Sequence, residues 1–428
     1  MRVLMFGWEF PPHISGGLGT ASYGLTKGLS KVQDLKIRFI VPKAFGDEDR
    51  SRMEILGANE VEISRKLINY EGFLREIEYL EVNSMLLPYT DPEEYENKIN
   101  KAHTEGKTFI QTSFRGKIEF TGTYGENLFQ EIANYAIVAS VLGESDDFDI
   151  IHAHDWLTYP AGIAAKKISG KPLIIHVHAT DFDRSGGNVN PGVFEIEQKG
   201  MRVADKIIAV SNLTRNTIIE KYGINPEKVV TVHNAVEPVA ELEKISAKKS
   251  IDDKIVTFLG RVTLQKGPEY FVEAAYKVLQ KMHNVRFVMA GSGELLNRMI
   301  DRAASLKIAD RFHFTGFLKG DDVYRMFSLS DVYVMPSVSE PFGISPLEAM
   351  QSNVPTIISY QSGVSEVLTH ALKIDFWDID AMADAIYAIL NYPALPDMFK
   401  QYGKEEVENM KWENSAFKVN EVYHSVLP

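Results

Sequence analysis

A rhythm constrains this chain more than any single motif. Short apolar runs rich in Val and Ile recur along it, each followed by a glycine or polar turn and then by an amphipathic stretch. In the first half the runs are Val3–Phe6, Ile37–Val41, Asp149–Ala153, Leu173–Val177 and Lys206–Val210; in the second half they are Ile255–Leu259, Val285–Ala290, Val332–Met335 and Thr356–Ile358. They do not alternate apolar with polar, so they read as parallel strands buried on both faces. Between them Leu18, Ala21, Leu25 and Leu29 share one helical face, as do Phe271, Ala274, Ala275, Val278 and Leu279. Alternating β and α units predict an α/β fold with a doubly wound, Rossmann-like sheet in each half.

At 428 residues the chain exceeds one ordinary domain of about 100–200 residues. The charged stretch 238–253, PVAELEKISAKKSIDD, precedes a new strand and marks the expected boundary. This gives an N-terminal domain over 1–237 and a C-terminal domain over 238–428, with a final helix able to pack back on the first domain. Residues 43–125 are polar and carry no clear βα rhythm. They read as an excursion, with hairpins around Phe73–Val82 and Lys117–Phe120.

Composition removes several function classes. Lys and Arg total 46 against 58 Asp and Glu, a net charge of −12, which argues against nucleic acid or an anionic membrane as a general partner. There is no cysteine, hence no disulfide, thiolate metal site or thiol nucleophile. No run approaches the ~18 apolar residues of a membrane span, and the first residues lack a signal-peptide pattern. The expectation is a cytoplasmic protein with no integral membrane segment; oligomeric state is not legible.

Ligands of open α/β sheets bind at the carboxyl ends of strands, and the informative residues lie there. Gly16-Gly17-Leu18-Gly19 follows the first strand and opens a helix, where close backbone approach and free N–H groups suit a diphosphate. The spacing is not that of a dinucleotide fingerprint. Arg261 and Lys266, flanked by Gly260 and Gly267, follow Ile255–Leu259. A guanidinium fork and an ammonium point charge can clamp a phosphate pair, or simply be solvated at a turn. Glu340 and Glu348 lie eight positions apart in Glu340-Pro341-Phe342-Gly343-Ile344-Ser345-Pro346-Leu347-Glu348. Ser345 to Glu348 fits a capping box; equally, Glu348 could reach the cleft and hold a ribose diol. Glu340 has no capping role and could bind sugar hydroxyls.

His152 and His154 share one face of a strand, and so do His176 and His178. Two H-x-H pairs suggest zinc, but no third ligand is evident and no metal is expected. His178 is a candidate for hydrogen bonding or acid–base work at the cleft, while His152 and His176 read as packed side chains bonded to neighbouring backbone. Three D-x-D triplets, Asp147–Asp149, Asp181–Asp183 and Asp378–Asp380, could hold a divalent ion. The first precedes a strand and the third looks like a helix start. The second lies near the cleft, where Arg261 and Lys266 already supply charge.

Taken together, these residues resemble retaining glycosyltransferases of the GT-B fold, in particular glycogen and starch synthases and the wider family 4 group that includes sucrose-phosphate synthase. Glu340 and Glu348 match the family's E-x7-E, Arg261 and Lys266 its R-x4-K diphosphate clamp, and Gly16 and Gly17 its glycine pair. The resemblance implies that His178 contacts the transferred sugar, that Asp155 matches the aspartate of H-x-H-D-W, and that Asn234 contacts the donor. It places Glu9 near the acceptor or sugar, and Gly363 in a G-G-x-x-E-like element whose amides bind phosphate, with Gly343 beside Glu340. The chain departs from bacterial glycogen synthases at Ile14-Ser15-Gly16-Gly17-Leu18, where their K-T-G-G-L carries a lysine, at Thr20, and at Phe342 and Ile344 within their E-P-C-G-L.

The implied activity is transfer of a glucosyl unit from ADP- or UDP-glucose to a hydroxyl with retention, most simply elongation of an α-1,4-glucan. The implied partners are a nucleotide-sugar donor and a glucan or other carbohydrate acceptor, and neither metal nor pyridoxal phosphate is expected. Rival readings are a family 4 transferase to a small or lipid-linked acceptor, a nucleotide-sugar epimerase, and a non-catalytic sugar-binding homologue.

Overall fold

A computed structural model describes residues 1–14, 16–63, 116–125, 127–239, 245 and 247–427. Two parallel sheets form from the apolar runs. The first contains β1 (Arg2–Phe6), β2 (Lys36–Val41), β3 (Glu54–Gly57), β4 (Ile150–His154), β5 (Leu173–Val177), β6 (Lys206–Ala209) and β7 (Val229–Thr231), in the order β3-β2-β1-β4-β5-β6-β7. The second contains β8 (Lys254–Leu259), β9 (Val285–Ala290), β10 (Phe312–Gly316), β11 (Val332–Met335), β12 (Thr356–Ser359) and β13 (Leu372–Ile374), in the order β10-β9-β8-β11-β12-β13. Every strand pair within each sheet is parallel.

Both faces of each sheet are covered, as the absence of alternation demanded. In the first sheet Leu4, Phe6, Ile151 and Ala153 enter one core, while Val3, Met5 and Ile150 enter another on the opposite face. The second core is closed by the last helix, Trp412–Val426, through Trp412, Ala416, Val419, Val422 and Tyr423. That helix lies against the helix Gly17–Leu29. A Cβ on Gly24 would stand 2.2 Å from the Trp412 indole nitrogen, so only glycine admits this approach. Arg38, Lys27 and Lys31 add ion pairs at the rim of the first sheet and its covering helices.

The excursion at 43–125 differs from expectation where it is described. It supplies β3, paired in register with β2. Lys117–Phe120 forms no strand; the contact there is a single antiparallel bridge between Ile63 and Gly116. The hairpin expected at Phe73–Val82 lies outside the described residues.

The strand order reverses direction between β1 and β4 in the first sheet and between β8 and β11 in the second. The loops after these neighbouring strands leave toward opposite faces and open a crevice between them. The loop after β11 reaches the segment after β5 through the Ser339–Asp183 hydrogen bond.

Candidate active site at the facing strand ends

The loop after β8 carries Lys266 and the loop after β11 carries Glu340. Adjacency of their strands brings the Lys266 ammonium onto the Glu340 carboxylate. The carboxylate also receives a bond of 3.4 Å from Ser337 Oγ. Lys266 side-chain exposure is 21% and that of Glu340 is 9%, so the pair is mostly shielded yet open on one side. The two loops are stitched by Val338 N donating to Gln265 O at 2.9 Å. Arg261 is exposed, with its guanidinium 3.4 Å from Gln265 Oε1. Gly343 turns behind Glu340 at φ +100, and a Cβ there would lie 3.1 Å from Glu340 Cγ, so glycine meets both a backbone and a packing need.

Gly16 and Gly17 sit at the start of the helix Gly17–Leu29 with open space where a Cβ would project. Among the described residues nothing crowds a Cβ at either position. Glu9 is buried, and its carboxylate accepts the Gly19 N–H at 3.1 Å, which ties the helix start to the loop after β1.

His178 follows β5 and is half-buried. Its Nε2 lies 2.9 Å from His154 Nδ1, and burial pushes its pKa down, against the opposing charge of Asp155. Asp155 fixes the backbone under it. One carboxylate oxygen accepts the His178 N–H at 2.7 Å and the Ala179 N–H at 3.3 Å, and the other accepts Arg184 Nη2 at 3.2 Å. Asp155 adopts a left-handed conformation, φ +59, uncommon for a residue with a Cβ. Arg184 also pairs with the buried Glu197, whose carboxyl is pushed up to about 8 by burial despite that cation. This buried Arg184–Glu197 support was not apparent in the sequence; its signal was only the charge density of Asp181–Arg184 beside His178.

The chain matches the model of Glycosyltransferase Family 4 over residues 101–239 and that of Glycosyl transferases group 1 over residues 241–406. Over 99% of its length it is 26% identical to an uncharacterized glycosyltransferase of Methanocaldococcus jannaschii, covering 98% of that protein. It is 23% identical to a glycogen synthase of Mycobacterium tuberculosis, covering 99% of this chain and 94% of the relative. The structure superposes on sucrose-phosphate synthase from Thermosynechococcus elongatus with a TM-score of 0.72 at 17% identity, covering 99% of this chain and 98% of the other. The chain is a glycosyltransferase of the GT-B fold.

The two lobes of this glycosyltransferase are tethered close to the Lys266–Glu340 pair. Glu366 accepts the N–H groups of Asn212 and Leu213 at 2.9 and 2.7 Å and meets His233 Nε2 at 2.9 Å. Ser339 Oγ donates to Asp183 Oδ1 at 2.6 Å. Gly363 packs here as well. A Cβ on it would stand 2.2 Å from Pro341 O and 2.5 Å from Ser211 Cβ. Its N–H donates to Glu340 O at 2.9 Å, which corrects the assignment of that amide to phosphate: the donor is already used in joining the loops. Asn234 is half-buried beside His233.

Glu348 does not cap its helix. The helix runs Ser345–Gln351 with Ile344 at the N-cap position and no side-chain cap bond, because the chain enters one residue earlier than the S-x-x-E pattern requires. Burial alone pushes the Glu348 carboxyl up to about 7, and its charge is felt by Tyr324 and Tyr333.

The D-x-D triplets are engaged elsewhere. Asp183 accepts the Thr180 N–H, Asp181 accepts the Asn190 N–H, Asp149 accepts the Arg2 N–H and Asp147 pairs with Arg2. Asp378 caps the helix Ile379–Asn391, and Asp380 meets Lys277. His152 and His176 are buried but not bonded to neighbouring backbone. His152 Nδ1 meets Tyr423 Oη at 2.7 Å, and neither ring nitrogen of His176 has a partner. No helix among the described residues is long and apolar enough to cross a membrane.

Proposed function

We propose that this glycosyltransferase moves a glucosyl unit from a nucleoside-diphosphate sugar, ADP- or UDP-glucose, to a hydroxyl of an α-1,4-glucan with retention, in the cytoplasm. The observation that carries the reading is the contact of Lys266 with Glu340 at the crevice between the lobes. A lysine ammonium has three donors, so it can hold Glu340 while turning toward a diphosphate. Glu340 then binds sugar hydroxyls, and Arg261, exposed on the same loop, takes the second phosphate.

The barrier to such a transfer is departure of the diphosphate from an oxocarbenium-like sugar. Donors fixed where that charge develops stabilise the transition state most. Arg261, Lys266 and the N–H groups of Gly16 and Gly17 have this task. Glu348, half-buried and not engaged in a helix cap, holds the ribose. His178 orients the sugar over Asp155, Asn234 lines the donor side, and Glu9 sets the loop beside the acceptor. No metal or pyridoxal cofactor is assigned to the transfer. The likeness to the Mycobacterium tuberculosis glycogen synthase supports a glucan acceptor.

A matrix of ADP- and UDP-glucose against glycogen, fructose 6-phosphate and buffer tests the reading, with the anomeric configuration of the product read by NMR. Glycogen-dependent release of nucleoside diphosphate and an α-linked product are expected. Transfer to the small acceptor alone, release without acceptor, or an inverted product would each overturn it.

A further inference from the structure

The histidines at the ends of β4 and β5 leave a chemistry that sugar transfer does not use. Parallel register sets His154 opposite His176, and period two puts His152 and His178 on the same face. The four rings form a stack inside the protein: His152 and His154 centroids are 4.3 Å apart, His154 and His176 5.2 Å, and His176 and His178 4.4 Å. His152 and His154 are 0% exposed and His176 is 2% exposed.

Their hydrogen bonds are one-sided. His152 uses Nδ1 on Tyr423, and His154 uses Nδ1 on His178. His152 Nε2, His154 Nε2 and both nitrogens of His176 are buried without a partner. Buried polar atoms are seldom left so, because each carries a desolvation cost with nothing to offset it. At His152 and His154 an orphaned nitrogen stands opposite a bonded one, which is the arrangement of a metal-ligating imidazole whose other nitrogen is held by a neighbouring group.

We propose that His152, His154 and His176 form a binding site for one divalent transition-metal ion of the zinc, cobalt or nickel type. Their ligand atoms lie within 4.8 Å of one another. That is wider than the roughly 3.4 Å between ligands on an ion with bonds of about 2.0–2.1 Å, so loading turns the near-parallel rings inward. Three neutral nitrogens with no carboxylate or thiolate suit these ions and not magnesium or calcium. The third ligand, absent from either H-x-H motif, comes from the neighbouring strand. The ion would join the strand ends beside His178 to the last helix through Tyr423, with water completing its coordination. The site stands apart from the sugar-transfer reading, since none of the three ligands is assigned to transfer.

The test uses the full chain, stripped with chelator and then titrated with Zn²⁺, Co²⁺ or Mg²⁺ alone. One equivalent of Zn²⁺ should bind and raise Tm, Co²⁺ should give the visible spectrum of a four-coordinate site of three nitrogens and a water, and Mg²⁺ should do neither. His176→Gln should weaken Zn²⁺ binding at least tenfold while circular dichroism stays unchanged, as His176 has no hydrogen bond to lose. Less than half an equivalent bound by the wild type overturns the proposal, and so does wild-type affinity in His176→Gln. Should that variant fail to fold, X-ray absorption of the zinc-loaded wild type decides: three imidazoles on the ion support the site, and two or fewer overturn it.

Discussion

The Lys266 ammonium rests on the Glu340 carboxylate although 74 positions of chain separate them. The contact follows from topology: β8 and β11 are neighbours across the strand-order reversal, and each residue lies in the loop just past its strand. On the proposed reading, this contact sets a cation for the diphosphate beside a carboxylate for the sugar hydroxyls.

Lys266→Ala should lower kcat/KM by at least tenfold, the scale of one charge-assisted contact, about 1.5–3 kcal/mol. It also leaves Glu340, 9% exposed, without its cation. Lys266→Ala combined with Glu340→Gln should therefore unfold at higher denaturant than Lys266→Ala alone. Steady-state kinetics and urea titration read the two effects, and a folded Lys266→Ala with near-wild-type transfer would remove this lysine from the mechanism.

Glu348 gives a pH signature. Its folded pKa of about 7 lies above the ordinary carboxylate value. The group therefore costs nothing below the unfolded value near 4.5 and costs most once pH has risen through 7. Glu348→Gln should be more stable than wild type at pH 8, by about 1–3 kcal/mol, and indistinguishable at pH 4.5. The same variant should bind donor more weakly. Tm against pH for both proteins reads the first effect, and equal stability at pH 8 would contradict it.

Asp155 should tolerate Asn better than Ala. Asn accepts the φ +59 conformation and keeps an oxygen for the His178 and Ala179 N–H groups, whereas Ala loses both and breaks the ion pair with Arg184. We expect Asp155→Ala to cost about 2–4 kcal/mol and Asp155→Asn about half of that. Denaturant titration checks the order, which reversal would refute.

Glu366 holds the start of the helix Asn212–Tyr222 to the opposite lobe. Burial raises its carboxyl, but the His233 bond and the two N–H bonds outweigh burial and leave the pKa lowered. Its contribution is thus present above the ordinary carboxylate pKa and lost as pH falls through the lowered one. Glu366→Ala should speed amide exchange at Asn212 and Leu213 at least tenfold at pH 7, read by hydrogen-exchange mass spectrometry. Unchanged protection would mean that the lobes are held elsewhere.

The strands legible in the sequence are the interior ones, and all four that were missed, β3, β7, β10 and β13, are sheet edges. An edge strand is short and half-covered, so it lacks the unbroken apolar run that a doubly buried neighbour imposes. EILG and LKI show this. The loops after β8 and β11 stood out because glycine and charge directly follow a strand, but the Lys266–Glu340 contact between them did not. The Glu366–His233 and His152–Tyr423 contacts span 133 and 271 positions, and no local pattern encodes a partner at that distance. The S-x-x-E spacing left a capping and a cleft role for Glu348 equally open, because local spacing does not resolve a helix start shifted by one residue.

On the proposed reading, the crevice holds a nucleoside diphosphate through Arg261 and Lys266. Calorimetric titration of ADP and UDP into the wild type and into the Arg261→Ala, Lys266→Ala double variant tests it directly. At least one nucleotide should bind the wild type and bind the folded double variant no less than a hundredfold more weakly. Equal affinity in the two proteins would contradict the account.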